Sequence, residues 1–99
     1  MAKENLVVIF GGRSSEHEVS CISVQTVAKA VDPEKYNMTL VGITKDGRWL
    51  KVDNIESIAD GSWYDSKVTA VISPDTTREL LVVDGDKVEK QPVDVIFPV

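Results

Sequence analysis

Leu6-Val7-Val8-Ile9-Phe10-Gly11-Gly12-Arg13-Ser14-Ser15-Glu16-His17-Glu18-Val19-Ser20 is the stretch that decides the fold. It opens with an unbroken apolar run, Leu6 to Phe10, rich in β-branched residues. Such a run suits a central strand of a parallel sheet, buried on both faces. Gly11-Gly12 ends it. Ser15-Glu16-His17-Glu18 then has the form of a capping box, in which the Ser15 hydroxyl takes the Glu18 N–H and the Glu18 carboxylate reaches back to Ser15. Strand, tight turn and helix start follow one another. Glu16 is thereby expected at the carboxyl end of a strand, where open α/β sheets place their ligands.

Working outward, Val24, Val27, Ala28 and Val31 recur at i, i+3, i+4 and i+7, with Cys21 one turn earlier, so one stripe of the helix faces the sheet. Asp32-Pro33 stops the helix, because proline disfavours helical geometry in the residue before it. Tyr36 to Thr44 reads as the next strand, completing a βαβ unit. Asp46-Gly47 marks a turn that pairs Ile43-Thr44 with Arg48-Trp49-Leu50. Asn54 to Asp65 is polar with scattered Ile55, Ile58, Trp63 and Tyr64, and reads as loop with one helical turn. Thr69 to Ser73 reads as a short strand ended by Pro74-Asp75. Glu79–Val83 and Lys87–Glu89 form a second hairpin around Asp84-Gly85-Asp86. Val93 to Val99 is a last, mostly apolar strand. The expected architecture is α/β: an open, mainly parallel, Rossmann-like sheet of three-layer type with one or two hairpin insertions. A doubly wound sheet wants a further helix and strand after Val99, so residues 1–99 read as one domain cut from a longer protein.

The 99 residues are 42% hydrophobic and 27% charged, an ordinary globular balance. Net charge is −5, and the eleven Lys and Arg are scattered singly, which argues against nucleic-acid binding. One cysteine, Cys21, cannot make an internal disulfide and suits a reducing compartment. No apolar run approaches the length of about 18 residues that a membrane span needs. The polar start, Met1 to Asn5, is no signal peptide. A cytoplasmic protein is expected.

Each chemistry-bearing motif has a plain alternative. Gly11-Gly12 lacks the third glycine of a dinucleotide-binding fingerprint and the lysine of a phosphate-binding loop; its plain reading is a tight turn. A phosphate- or nucleotide-binding module and a flavodoxin-like receiver are the competing functional classes, the second disfavoured because glycines, not aspartates, follow the first strand. Glu16 is either a carboxylate favoured by the helix dipole, worth about 0.3–1 kcal/mol, or a carboxylate that receives an ammonium group. His17 is a candidate base, or a locally bonded first-turn histidine. Arg13 and Ser14 read as surface residues at a pocket edge. Cys21 behaves as a small hydrophobe on the buried stripe. Trp49 and Trp63 read as core or lid. No Cys or His pair has metal-ligand spacing.

The opening stretch, Leu6 to Ser20, resembles the amino-terminal signature of the D-alanine–D-alanine ligases, shared with the D-alanine–D-lactate and D-alanine–D-serine ligases of vancomycin resistance. Val41-Gly42-Ile43-Thr44-Lys45-Asp46-Gly47-Arg48-Trp49, Ala70-Val71-Ile72-Ser73-Pro74-Asp75 and Val93-Asp94-Val95-Ile96-Phe97 extend the likeness over nearly the whole chain. The resemblance implies the pre-ATP-grasp domain of an ATP-grasp enzyme, usually a homodimer, that makes a peptidoglycan precursor. ATP phosphorylates one D-alanine and the amine of a second attacks. It implies that Glu16 is an active-site residue holding the ammonium of the first D-alanine and that Val19 lines the same pocket. His17, at a position not always histidine in the family, is grouped with them as substrate-binding. ATP and Mg2+ are implied for later domains, and this segment alone is expected to be inactive.

Overall fold

The computed structural model describes residues 3–12, 17–72 and 79–99. The expected turn residues Arg13, Ser14, Ser15 and Glu16 therefore lie outside the described residues, as do Ser73, Pro74 and Asp75.

Strand β1 (Glu4–Gly11) alternates as its apolar run demands. Leu6, Val8 and Phe10 point to one face, Val7 and Ile9 to the other, and Val8 and Phe10 are fully buried. Helix α1 (His17–Ala30) lays Val24 and Ala28 on the first face, with Cys21, Val27 and Val31 packed alongside. That is the stripe expected from the spacing. The chain returns as β2 (Tyr36–Ile43), parallel to β1 from Glu4 opposite Tyr36 to Gly11 opposite Ile43. The βαβ unit is present as read.

The hairpin after it is longer than its turn signal suggested. β3 (Trp49–Val52) runs antiparallel to β2 from Ile43 opposite Trp49 to Leu40 opposite Val52. Its turn is closed by Thr44 N–H on the Arg48 carbonyl, 2.9 Å, and Gly47 N–H on the Thr44 carbonyl, 2.9 Å. Residues 54–65 hold more structure than a loop. They form helix α2 (Ile55–Asp60) and a 3-10 turn, Ser62–Asp65. Asn54 Oδ1 accepts the Ser57 N–H at 2.8 Å, and Gly61 ends the helix at φ +82°. A cap of that kind is worth about 1 kcal/mol, which lets so short a helix persist once Ile58 and Trp63 are buried.

β4 (Val68–Ile72), β5 (Glu79–Asp84) and β6 (Lys87–Pro92) form an antiparallel meander, with the expected hairpin at Asp84 opposite Lys87. β7 (Val95–Pro98) joins β1 in parallel. Among the described residues this makes one sheet of seven strands, ordered β6-β5-β4-β3-β2-β1-β7. Its parallel part is β7-β1-β2, and the hairpin strands extend the same sheet in antiparallel fashion.

Both helices and the 3-10 turn pack on the face of Leu6, Val8 and Phe10. The other face gathers Val7, Val41, Ala70, Leu80, Val82 and Val93. β5 stands four places from β1, about 19 Å away in a flat sheet. Yet Leu80 and Val7 line one cavity with Pro92 and Val93. The sheet must curl, so its antiparallel arm covers the second face of β1 and β2. β3 and β4 are paired at Leu50 opposite Thr69, the joint between the two parts.

Trp63 is the keystone of the helical face. Its ring meets Phe10 edge-on, centroids 5.0 Å apart, and lies over Gly42. A Cβ on Gly42 would stand 2.4 Å from Trp63 Cζ3 and 2.7 Å from Phe10 Cζ. Two rigid buried rings cannot retreat from it. Gly42→Ala is expected to destabilise the domain by about 1–3 kcal/mol, read as a lowered denaturation midpoint of tryptophan fluorescence. An unshifted midpoint would contradict this packing.

Candidate functional site at the carboxyl ends of the parallel strands

Because β7, β1 and β2 run parallel, Val99, Gly11 and Ile43 emerge at one edge of the sheet. Gly11 adopts φ +84°, and a Cβ there would lie 2.3 Å from the Ile43 carbonyl oxygen. Only glycine fits. Gly12, at φ +109°, donates its N–H to the same carbonyl at 2.8 Å. The turn is thus pressed against the end of β2.

Helix α1 ties the strand ends together from above. Ser20 Oγ accepts the Gly11 N–H at 2.8 Å and donates to the Val99 carbonyl at 3.0 Å, joining β1 to β7. His17 is 3% exposed. Its Nδ1 lies 2.8 Å from the Gly12 carbonyl and its Nε2 lies 2.8 Å from Tyr64 Oη. A carbonyl can only accept, so Nδ1 carries the hydrogen, and Nε2 takes the Tyr64 hydroxyl hydrogen. Tyr64 Oη in turn accepts the Lys45 N–H at 3.4 Å. The imidazole stacks on Trp63, planes 21° apart and centroids 6.0 Å apart. Ring, turn and 3-10 segment form one unit.

Glu18 takes a different partner from the one its capping-box position suggested. Its carboxylate meets the Lys45 ammonium on the β2–β3 turn; the Ser15 half of the box lies outside the described residues. The hydrogen bond to Lys45 holds the Glu18 carboxyl below its ordinary range, and the same bond raises Lys45. Burial pushes the Cys21 thiol up, which makes it a poor nucleophile at neutral pH. An open groove of about 620 Å³ passes His17, Glu18, Cys21, Lys45, Trp63 and Tyr64.

Of the residues expected at a site, His17 lies at the turn, while Val19 in the first turn of α1 is 61% exposed. Glu16 lies outside the described residues. Ser20, Lys45 and Tyr64 were not singled out from sequence. Ser20 had a signal, being one turn along the helix from His17. Tyr64 had none, since 47 residues separate it from its partner. Trp63 is core; Trp49 packs against the opposite face. Among the described residues no group of three or more His, Cys, Asp and Glu side chains could hold a metal ion.

A lowered carboxylate contributes above its ordinary range and is lost as pH falls through the lowered value. A raised ammonium contributes below its ordinary range and is lost as pH rises through the raised value. The Glu18–Lys45 pair therefore acts between those limits. In Lys45→Met, Glu18 is expected to titrate at higher pH, followed by carboxyl carbon NMR. The difference should shrink from dilute buffer to molar salt, because both groups are exposed. An unchanged Glu18 titration would remove the pair.

A family model described as "D-ala D-ala ligase N-terminus" matches residues 5–99. A D-alanine–D-alanine ligase of Ruminiclostridium cellulolyticum is 41% identical over 111 residues, covering all of this chain and 29% of its own. Its counterpart from Caldicellulosiruptor bescii is 37% identical over 100 residues, covering all of this chain and 28% of its own. The VanG D-Ala:D-Ser ligase from Enterococcus faecalis superposes with a TM-score of 0.85 at 27% identity, over 98% of this chain and 29% of that one. The D-alanine-D-alanine ligase from Coxiella burnetii, with a TM-score of 0.75 at 23% identity over 97% of this chain and 28% of that one, shares the fold. This chain spans under a third of each relative's length. With sequence and overall fold in agreement, the chain belongs to the D-ala D-ala ligase N-terminus family.

Proposed function

We propose that this chain is the amino-terminal, substrate-holding part of an ATP-dependent ligase that joins two D-alanines through an acyl phosphate, for peptidoglycan precursors. The observation that supports this best is the convergence of three parallel strand ends at Gly11, Ile43 and Val99, inside a chain that matches the family from residue 5 to residue 99. Residues that follow such ends line the crevice of an open sheet.

Glu16 is the group assigned to the incoming ammonium. It follows a turn that is pinned to β2, and a carboxylate facing an ammonium in a partly dry cleft makes hydrogen bonds about twice as strong as neutral ones. The gain is in orientation rather than bond chemistry. Val19 offers an apolar wall, and His17 belongs to the same constellation. ATP and Mg2+ are assigned to other segments of the parent protein, where ATP supplies the phosphoryl group that activates the first carboxylate. The parent is assigned to the cytoplasm as a homodimer. No described helix is long and apolar enough to cross a membrane.

A second reading has one observation in its favour: the solved structure with a TM-score of 0.85 is a D-Ala:D-Ser ligase. The acceptor is then D-serine, or D-lactate, in place of the second D-alanine. Product analysis with all three acceptors decides between these. In the parent enzyme Glu16→Gln is expected to raise KM for the first D-alanine at least about tenfold, a loss of about 1.4 kcal/mol. Unchanged kinetics in that variant would remove Glu16 from the site.

A further inference from the structure

Between β1 and β7 the order of the sheet reverses, because β2 lies on one side of β1 and β7 on the other. Open α/β sheets take their ligands beyond the carboxyl ends of strands at such a reversal. Ile9 stands opposite Pro98, and its carbonyl accepts the Val99 N–H at 2.8 Å. Rungs of a parallel ladder are evenly spaced, so the next one belongs to the Gly11 N–H and the Val99 carbonyl. That rung is not made directly. The Gly11 N–H goes to Ser20 Oγ at 2.8 Å, and the Ser20 hydroxyl donates to the Val99 carbonyl at 3.0 Å. One backbone bond of about 2.9 Å has become two bonds in series through a side-chain oxygen. On the other side of β1 the ladder continues unbroken, with the Gly12 N–H on the Ile43 carbonyl at 2.8 Å. The insertion is confined to the β1–β7 boundary.

We infer that Ser20 is a positioning residue: its hydroxyl stands in the rung between Gly11 and Val99, spaces the ends of β1 and β7, and so sets the width of the crevice that the first D-alanine enters. This rests on the assignment of the chain as the substrate-holding part of a D-alanine ligase. Ser20 acts through the two strands rather than by touching substrate, since its hydrogen is committed to the Val99 carbonyl and its oxygen to the Gly11 N–H. A hydroxyl suits the place because one atom both accepts and donates. It is delivered by α1, which is anchored on the same strand by fully buried Val24 and by Ala28. With alanine at position 20, nothing stands between the Gly11 N–H and the Val99 carbonyl. Backbone donors and acceptors that lose a partner seek another, so the strands close to make the rung. Displacement by about 1 Å of groups that orient a substrate changes rates by about a hundredfold.

The test uses the parent ligase with its Ser20→Ala and Ser20→Thr variants, combining kinetics with crystal structures of the parent and of Ser20→Ala. In the unsubstituted parent, Gly11 and Val99 should be joined through Ser20 Oγ. In Ser20→Ala the two backbone groups should meet directly. KM for the first D-alanine should then rise at least about tenfold, while KM for ATP and Tm stay close to those of the unsubstituted enzyme. Ser20→Thr keeps the hydroxyl and should restore the KM. A serine that merely held α1 in place would behave differently, lowering Tm and moving both KM values together. That pattern would overturn the inference. So would an unchanged KM for D-alanine in Ser20→Ala, whether the strands have closed or water has taken the place of the hydroxyl. A Thr variant as impaired as Ala would do the same. A direct Gly11–Val99 bond in the unsubstituted parent overturns it even if neither variant folds. Should the parent join no D-alanine at all, the assignment of the chain falls instead, and the crystal structures still decide whether the hydroxyl parts the strands.

Discussion

The approach of the end of β1 to the Ile43 carbonyl is the constraint on which the rest of this molecule depends. That single oxygen takes the Gly12 N–H and leaves no room for a side chain on Gly11. Because the two strands are parallel and in register to their last residues, the turn leaves the sheet in one direction only. Helix α1 must then begin above the strand ends. Ser20 can reach both Gly11 and Val99 from there, and His17 can reach Gly12.

The parts of the fold that were legible in sequence are those with a local signature. The Leu6–Phe10 run, the Val24/Ala28 stripe, and the Gly47 and Gly85 turns each follow from residue type and spacing. The segment 54–65 reads as loop with one helical turn because its polar composition outweighs Ile55, Ile58 and Trp63. Its helix is stabilised by a cap at Asn54, a left-handed Gly61 and burial of Trp63 against Phe10. The first two are visible as residue types, whereas the third depends on a strand more than fifty positions away. The curl of the sheet was likewise invisible. It arises from Leu80 and Val93 finding Val7 across the second face, a contact no periodicity announces.

The site divides in the same way. Glu16, His17 and Val19 are candidates because they sit in one short motif. Lys45 reaches Glu18 from the β2–β3 turn, and Tyr64 reaches His17 from the 3-10 turn after α2. They convert a motif that is linear in sequence into a supported constellation. His17, a candidate base by sequence, is bonded through both ring nitrogens, to the Gly12 carbonyl and to the Tyr64 hydroxyl.

The two margins of the sheet are unlike each other. β6 presents Lys87, Glu89 and Lys90 and closes on Pro92, charges and an imino acid that discourage another strand from adding. β7 shows Val95, Ile96 and Phe97, each between a third and a half exposed. Its backbone is bonded to β1 on one side, and no described strand covers the other. A protein built this way can propagate its hydrogen-bond ladder from one margin only. With one margin blunted, edge pairing between two such sheets runs β7 against β7 and ends at two copies, because no open margin is left for a third.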